Sequence, residues 1–119
     1  MHTNHFQLLK AAKAGNLSDI SINLVPESTE YDISCAIIQA TYGPHIQVIQ
    51  FLLQHSPTRL SELKIVFNMA LANQSRQLIN LVMTEAAKYG YTTDMYNHIK
   101  EMRNGCPQYI GLFNIISMP

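Results

Sequence analysis

Residues 8–24 have the sequence LLKAAKAGNLSDISINL and carry the clearest structural signal in the chain. Apolar residues recur three and four positions apart on both sides of Gly15-Asn16, which is the spacing of one face of an α-helix. Glycine commonly ends a helix, and asparagine commonly caps the next one. This stretch therefore predicts two short helices joined by a tight turn.

The same helical spacing continues through most of the chain, and no stretch keeps the strict alternation of a half-buried strand. Glycine, proline and small polar residues interrupt it at short intervals. The breaks predict eight helices, at 5–14, 17–25, 32–42, 46–55, 62–72, 76–88, 94–103 and 108–117. Helices of about ten residues are marginal alone, so each must bury a face against a neighbour.

Start and stop signals accompany these breaks. Pro26 and Pro57 are expected to end the second and fourth helices, and Gly90 to close the sixth in a left-handed conformation. Side chains suited to N-capping stand at Asn16, Ser61, Ser75 and Thr93.

The helical hairpin recurs along the sequence. Asn16, His45 and Ser75 occupy equivalent turn positions, 29 and 30 residues apart. Small residues precede each turn and aliphatic residues follow it, at Ala11, Ala40, Ala70, Ile20, Ile49 and Ile79. A weaker fourth copy places Pro107 at the turn, with Ile99 and Met102 before it and Ile110, Phe113 and Ile115 after it. A repeated supersecondary unit predicts that each hairpin packs on the next. An ordinary bundle of amphipathic hairpins remains the alternative.

This pattern resembles the ankyrin repeat, whose period is roughly 33 residues. The resemblance implies a single all-α domain over residues 1–119, built from stacked antiparallel helix pairs in an ankyrin-like α-solenoid. The copies fall at about 5–28, 32–57, 62–90 and 94–117. His45 matches the turn histidine of the family, which implies a hydrogen bond to a neighbouring turn.

The chain departs from the family pattern between repeats. The Thr-Pro opening of the first helix is absent, and the glycine-rich fingers shrink to residues 26–31 and 56–61. Apolar Ile33, Leu63 and Met95 stand where the family has glycine. We therefore expect reduced or absent β-hairpin fingers and helices that begin earlier.

Ankyrin-like stacks usually bind partners on their concave side. Carried onto this sequence, the resemblance implies a partner-binding set at Lys13, Tyr31, Asp32, Ser34, Tyr42, Glu62, Lys64, Ala72, Asn73 and Tyr96. Tyr31, Tyr42 and Tyr96 are the expected anchors because tyrosine combines a large contact area with a polar tip. The alternative for each tyrosine is partial packing into the core.

Composition favours a protein partner over other ligands. The net charge is zero and basic residues form no runs, which disfavours nucleic acid. Only 13% of residues are charged, so the surface is cheap to desolvate against another protein. No apolar run can span a bilayer and no signal-peptide pattern begins the chain, which predicts a cytoplasmic or otherwise intracellular protein without a membrane span. Ankyrin-like proteins also occur among proteins secreted by intracellular bacteria, and the sequence leaves delivery into a host cell open.

Catalytic and metal-site patterns are weak. The five histidines show no tight ligand spacing beyond His2 and His5, and there is no glycine-rich phosphate loop, so we expect no metal and no cofactor. Cys35 and Cys106 are expected to be reduced, buried thiols. A less favoured hypothesis makes Cys106 and His98 a nucleophile and base. Another alternative is a structural protein that self-associates through its apolar C-terminal helix.

Overall fold

The computed structural model describes residues 5–24, 28–43, 45–114 and 116. Within these ranges every regular element is helical, so the all-α prediction is confirmed. The helices are α1 His5–Ala14, α2 Leu17–Asn23, α3 Glu30–Tyr42, α4 Ile46–His55, α5 Arg59–Ala72, α6 Arg76–Tyr89, α7 Thr92–Gly105 and α8 Ile110–Phe113. A 3₁₀ turn at Pro107–Tyr109 leads into α8.

Neighbouring helices pair, and each pair packs on the next. α1 packs on α2, α3 on α4, and α5 on α6. The odd-numbered helices also pack in succession, α1 on α3, α3 on α5 and α5 on α7. Because α2 contacts α4 and α4 contacts α6, the even-numbered helices form a second layer.

Small residues are buried on the odd-numbered helices. Ala11, Ala40 and Ala70 are all buried, and short side chains there allow the odd-numbered helices to approach closely. The aliphatic residues that follow each turn are fully or almost fully buried at Ile20, Ile49 and Ile79. The repeat pattern therefore correctly identified part of the core.

Three helices begin earlier than their predicted ranges. α3, α5 and α7 start at residues 30, 59 and 92, so Ile33, Leu63 and Met95 lie within these helices, near their starts, and are buried. The α4–α5 and α6–α7 connections contain only residues 56–58 and 90–91, too few for a hairpin finger. Predictions at Pro26 and residue 25 lie outside the described residues.

Capping follows the sequence at two of four predicted positions. The side chains of Asn16 and Ser75 accept hydrogen bonds from the backbone N–H groups of Asp19 and Leu78. Ser61 and Thr93 were wrong as caps, because their helices begin before them.

The α3 start was missed by the sequence analysis. Thr29 Oγ1 accepts from the Asp32 N–H at 3.2 Å, and Asp32 Oδ2 accepts from the Thr29 N–H at 2.9 Å. This reciprocal capping box fixes the first turn of α3. Gly90 has φ 79° and closes α6 in the left-handed conformation, as predicted.

The C-terminal end is shorter than predicted. α8 spans four residues, against a predicted helix at 108–117. Phe113 and Ile116 are buried, while Ile110 is 52% exposed. Ile115 and residue 117 lie outside the described part of the chain. The fourth hairpin is therefore less complete than the other three.

Arg59 joins three helices at one end of the middle pairs. Its guanidinium donates from Nε to the carbonyl of Leu53 at 2.9 Å and from Nη2 to that of Gln54 at 3.1 Å. The same group lies 3.9 Å from the centre of the Tyr89 ring, a cation–π distance. Arg59 thereby adds hydrogen bonds to carbonyls in the last turn of α4 and contacts the last residue of α6.

His45 links the second hairpin to the turn of the first. Its Nε2–H donates to the backbone carbonyl of Lys13 at 3.0 Å, which is the kind of bond expected of the turn histidine. The ring lies against Gly15, whose φ is 73°. A Cβ at Gly15 would collide with the imidazole, so both backbone conformation and crowding require glycine there.

We predict that Gly15→Ala lowers the free energy of unfolding more than Gly90→Ala. Both positions have left-handed φ, where a Cβ costs roughly 1–2 kcal/mol. Only Gly15 also carries the collision with His45, since a Cβ at Gly90 meets nothing within 4 Å. Urea unfolding of the two variants measures the difference. Equal losses would contradict the crowding argument.

Candidate functional site

Three polar pairs cross the interfaces between successive odd-numbered helices. His5 Nδ1 lies 2.8 Å from Asp32 Oδ1, Ser34 Oγ donates to Glu62 Oε1 at 2.6 Å, and His98 Nε2 lies 2.9 Å from Asn68 Oδ1. The partners are 27, 28 and 30 residues apart, close to the repeat spacing. Each interface in this layer thus has its own polar contact.

Asp32 serves this layer structurally. The Thr29 backbone N–H lowers the pKa of its carboxyl, and the hydrogen bond from His5 lowers it further, against the opposing effect of burial. One oxygen is occupied by the capping box and the other by His5. Its predicted role in partner binding has no direct support from this geometry.

Glu62 is buried between α3 and α5, with 2% of its surface exposed. Oε1 accepts from Ser34 and, at 3.4 Å, from the Thr58 hydroxyl. Oε2 is buried and has no hydrogen-bond partner among the described residues. Burial raises the pKa of the carboxyl, while the two hydroxyl donors act in the opposite direction and the charge of Glu30 adds to the increase. Glu62 therefore cannot present its carboxylate to a partner, which corrects its place in the predicted binding set.

The odd-numbered helices share an exposed side, here called the first-helix face. Residues spaced four, three and four apart return to the same side of an α-helix. The first-helix face is defined by exposed or half-exposed residues that follow this spacing on each odd-numbered helix. They are Phe6, Leu9 and Lys13 on α1; Tyr31, Cys35, Ile38 and Tyr42 on α3; Ser61, Ile65, Asn68 and Ala72 on α5; and Thr93, Asn97, Lys100 and Asn104 on α7. Since these helices pack side by side, their stripes form one continuous surface.

Aromatic side chains concentrate at the α1–α3 end of this face. Phe6, Tyr31 and Tyr42 are 70%, 69% and 59% exposed. Tyr31 and Tyr42 lie on the same side of α3, about 16 Å apart along its axis. Ile38 lies between them and is half-exposed. On monomeric proteins such grouped apolar exposure marks interaction sites more often than isolated exposed residues do.

Local contacts hold Tyr31 in place. Its ring stacks on His5 with a centroid distance of 5.5 Å and an interplanar angle of 16°. A hydrogen bond with Cys35 raises the pKa of the phenol, which is neutral at physiological pH. Tyr31 therefore offers a positioned ring and a hydroxyl at the surface.

The structure places the predicted binding residues unevenly. Lys13, Tyr31, Tyr42 and Ala72 lie on the first-helix face, and Asn73 is exposed directly after α5. Ser34, Lys64 and Tyr96 are half-buried, and Tyr96 lines a cavity with Ile79 and Met83 of α6. Tyr96 also packs against the core, which is the alternative considered for the tyrosines.

Sequence reasoning missed several members of this face, because it followed family positions rather than helical spacing. The missed apolar residues include Phe6, Leu9, Ile38 and Ile65. Their signal was present in the sequence, since Tyr31, Cys35, Ile38 and Tyr42 already follow a single helical stripe.

The hypothetical Cys106–His98 pair has unfavourable geometry. The α7 helix separates the two residues by about 12 Å along its axis, beyond hydrogen-bond reach. His98 instead donates to Asn68, and burial together with the charge of Lys64 lowers its pKa. Cys35 and Cys106 are free, as expected, but both are half-buried rather than buried.

The described residues contain no group of three or more His, Cys, Asp or Glu side chains that could hold a metal ion. Over the same residues, no helix has the length and apolar character needed to cross a membrane. A scan against protein-family models found no match for this chain, and searches of curated proteins and of solved structures found no significant match.

We predict that Glu62→Gln stabilises the protein increasingly as the pH rises from acidic to neutral. In the unfolded chain Glu62 ionises at its ordinary pKa, whereas burial raises its pKa in the folded state. At pH values between these two pKa values, the folded state binds more protons than the unfolded state. Stability is therefore lost as the pH rises through the folded pKa, and glutamine removes that loss. Thermal unfolding of both proteins across pH measures the change in Tm.

Glu101→Gln provides the matched control, because Glu101 is exposed and the substitution removes the same charge. If the Tm difference between Glu62→Gln and the native chain stayed constant across pH, ionisation of the buried carboxyl would not control the stability of the fold.

Proposed function

We propose that this chain is a non-catalytic protein-interaction module, a degenerate ankyrin-like stack that binds a partner protein through its first-helix face. The observation that carries the proposal is the exposure of Tyr31 and Tyr42 on one side of α3, within a surface shared by four helices. Exposure of aromatic side chains to water is unfavourable. Covering these rings with a partner therefore lowers the free energy of the complex.

The ankyrin-like part of the proposal draws support from repeated contacts. Polar pairs recur between residues about 30 apart, and His45 donates to the turn of the preceding hairpin. Successive hairpins contact their neighbours through both layers. Such one-dimensional stacking is typical of solenoid proteins, which generally use extended surfaces for binding. Short connections replace the fingers of the family.

We predict that Tyr31→Ala with Tyr42→Ala weakens partner binding by about 30-fold or more, because loss of even one aromatic hot spot commonly costs about 2 kcal/mol, which is a factor of about 30. Both rings are mostly exposed, so the fold is expected to survive. The native chain and the double variant are used as bait in affinity capture with mass spectrometry. A protein retained only by the native chain is then purified and titrated calorimetrically.

Ile22→Ala is the matched control, since Ile22 is 73% exposed but lies on α2, in the other helix layer. Equal retention of the partner by the double-tyrosine variant and by the native chain would reject the first-helix face as the binding surface.

A second candidate is self-association through the C-terminal hairpin. Ile110 is 52% exposed on the short α8, beside half-buried Tyr109 and Leu112, so the described residues leave an apolar side chain uncovered there. If this surface pairs with itself, light scattering detects dimers in the native chain and monomers in Ile110→Lys. A native monomer at all concentrations would eliminate this candidate.

A further inference from the structure

The exposed stripe of α3 is symmetrical about its own midpoint. Its four members, Tyr31, Cys35, Ile38 and Tyr42, are separated by four, three and four residues. This is the spacing of a coiled-coil seam, along which one helix packs against another. Because tyrosine stands at both ends of the stripe, a second α3 running in the opposite direction would bring Tyr42 opposite Tyr31 and Ile38 opposite Cys35.

The exposed stripe of α1 has its midpoint at about the same level. His5 lies 2.8 Å from Asp32 near the start of α1 and α3. The Lys13 carbonyl bonds to His45 beyond the end of α3, so the two helices run parallel. With the 27-residue offset between His5 and Asp32, the midpoint between Phe6 and Lys13 is level with the midpoint of the α3 stripe. A single two-fold axis across both helices would therefore also bring Lys13 of one copy to Phe6 of the other, which is a cation–π pair.

Charge is opposite at the two ends of this helix pair. The first turn of α3 carries the carboxylates of Glu30 and Asp32. Toward the other end, α1 carries Lys10 and Lys13, against the single carboxylate of Asp19 in the first turn of α2. A partner of uniform charge would meet like charge at one of the two ends. A copy turned end for end meets opposite charge at both ends, and it also places helix starts beside helix ends.

We infer that the α1–α3 end of the first-helix face binds a second copy of this chain, with the two α3 helices antiparallel about a two-fold axis level with the midpoint between Cys35 and Ile38. This choice of partner rests on the proposed function, because it uses the same surface. A two-fold interface must be complementary to itself, and both the aromatic pattern and the charge pattern of this helix pair meet that condition.

The area of this end suits a weak, reversible dimer. Phe6, Tyr31 and Tyr42 together expose about 400 Å² in each copy, since an aromatic side chain presents roughly 200 Å² when fully accessible. Leu9, Cys35 and Ile38 are half-exposed and add to this area. Two copies can therefore bury about 1,000 Å² in total, which is the lower range of specific interfaces.

The stripes of α5 and α7 have the same spacing but a different composition. The α5 stripe is half polar, at Ser61 and Asn68, and Asn68 already bonds to His98. The α7 stripe consists of threonine, lysine and asparagine residues. Since neither stripe offers an aromatic anchor, the contact between copies centres on α3.

Sedimentation velocity of the full chain over a range of concentrations tests the inference. We expect a monomer–dimer equilibrium in the native chain and at least tenfold weaker dimerisation in Ile38→Lys. The two introduced lysines would lie only about 5 Å apart along the helix axis in an antiparallel pair. Ile22→Lys is the matched control, since Ile22 is exposed on α2 in the other layer and its variant should dimerise like the native chain. Circular dichroism verifies that both variants are folded.

Charge reversal at Lys13 tests the antiparallel direction. Lys13→Glu places a carboxylate against the Phe6 ring and the acidic end of the other copy, so the dimer should weaken by about tenfold. Arg76→Glu makes the same change in net charge on α6, outside the face, and should leave the dimer unchanged. In a parallel pair Lys13 would instead lie beside its own counterpart, and Lys13→Glu would exchange one like-charge contact for another. An unchanged dimer in Lys13→Glu would therefore overturn the antiparallel arrangement.

A chain that stayed monomeric up to about 1 mM would overturn the inference, because even a binding free energy of about −4 kcal/mol gives dimers at that concentration. Equal dimerisation of Ile38→Lys and Ile22→Lys would also overturn it. Loss of the dimer in Ile110→Lys but not in Ile38→Lys would assign self-association to the C-terminal hairpin instead.

The inference and the proposed function can fail separately. If the native chain were monomeric but a different natural partner were lost with Tyr31→Ala and Tyr42→Ala, the second copy alone would be rejected. A natural partner indifferent to the two tyrosines would reject the proposed function.

Discussion

Close packing between successive odd-numbered helices is the constraint on which the rest of the structure depends. Helices α1 to α7 have only 7 to 14 residues each, and helices of that length have little stability in isolation. Small side chains such as Ala40 and Ala70 let the backbones approach, and polar pairs such as Ser34–Glu62 fix their relative positions. Because one side of each helix faces its neighbours, the opposite side is left to form the first-helix face.

Helical content and hairpin pairing were largely predictable from the sequence because both arise from local patterns. Apolar spacing identified the seven longer helices, and the turn at His45 was assigned a bond that the structure contains. Helix starts were less predictable. Thr29 and Asp32 cap α3 through a reciprocal pair, a signal that was overlooked when the start was placed at residue 32 from the breaks in the apolar spacing.

The candidate surface was only partly predictable. Tyr31 and Tyr42 were identified from family positions, but burial of Glu62 depends on contacts with residues 28 positions away, which local periodicity does not encode. Charge distribution was hidden for the same reason, since composition counts buried and exposed carboxylates alike. The burial of Glu62 and Glu85 therefore could not be inferred from composition.

The short α8 has a consequence for the order in which the chain folds and opens. Contacts between hairpins join residues only about 30 apart, so assembly can begin in a central hairpin and propagate to its neighbours. A helix of four residues such as α8 adds little to that propagation. Native fluctuations should therefore separate α7 and α8 from the array at lower free energy than the central hairpins, giving their backbone amides the faster hydrogen exchange.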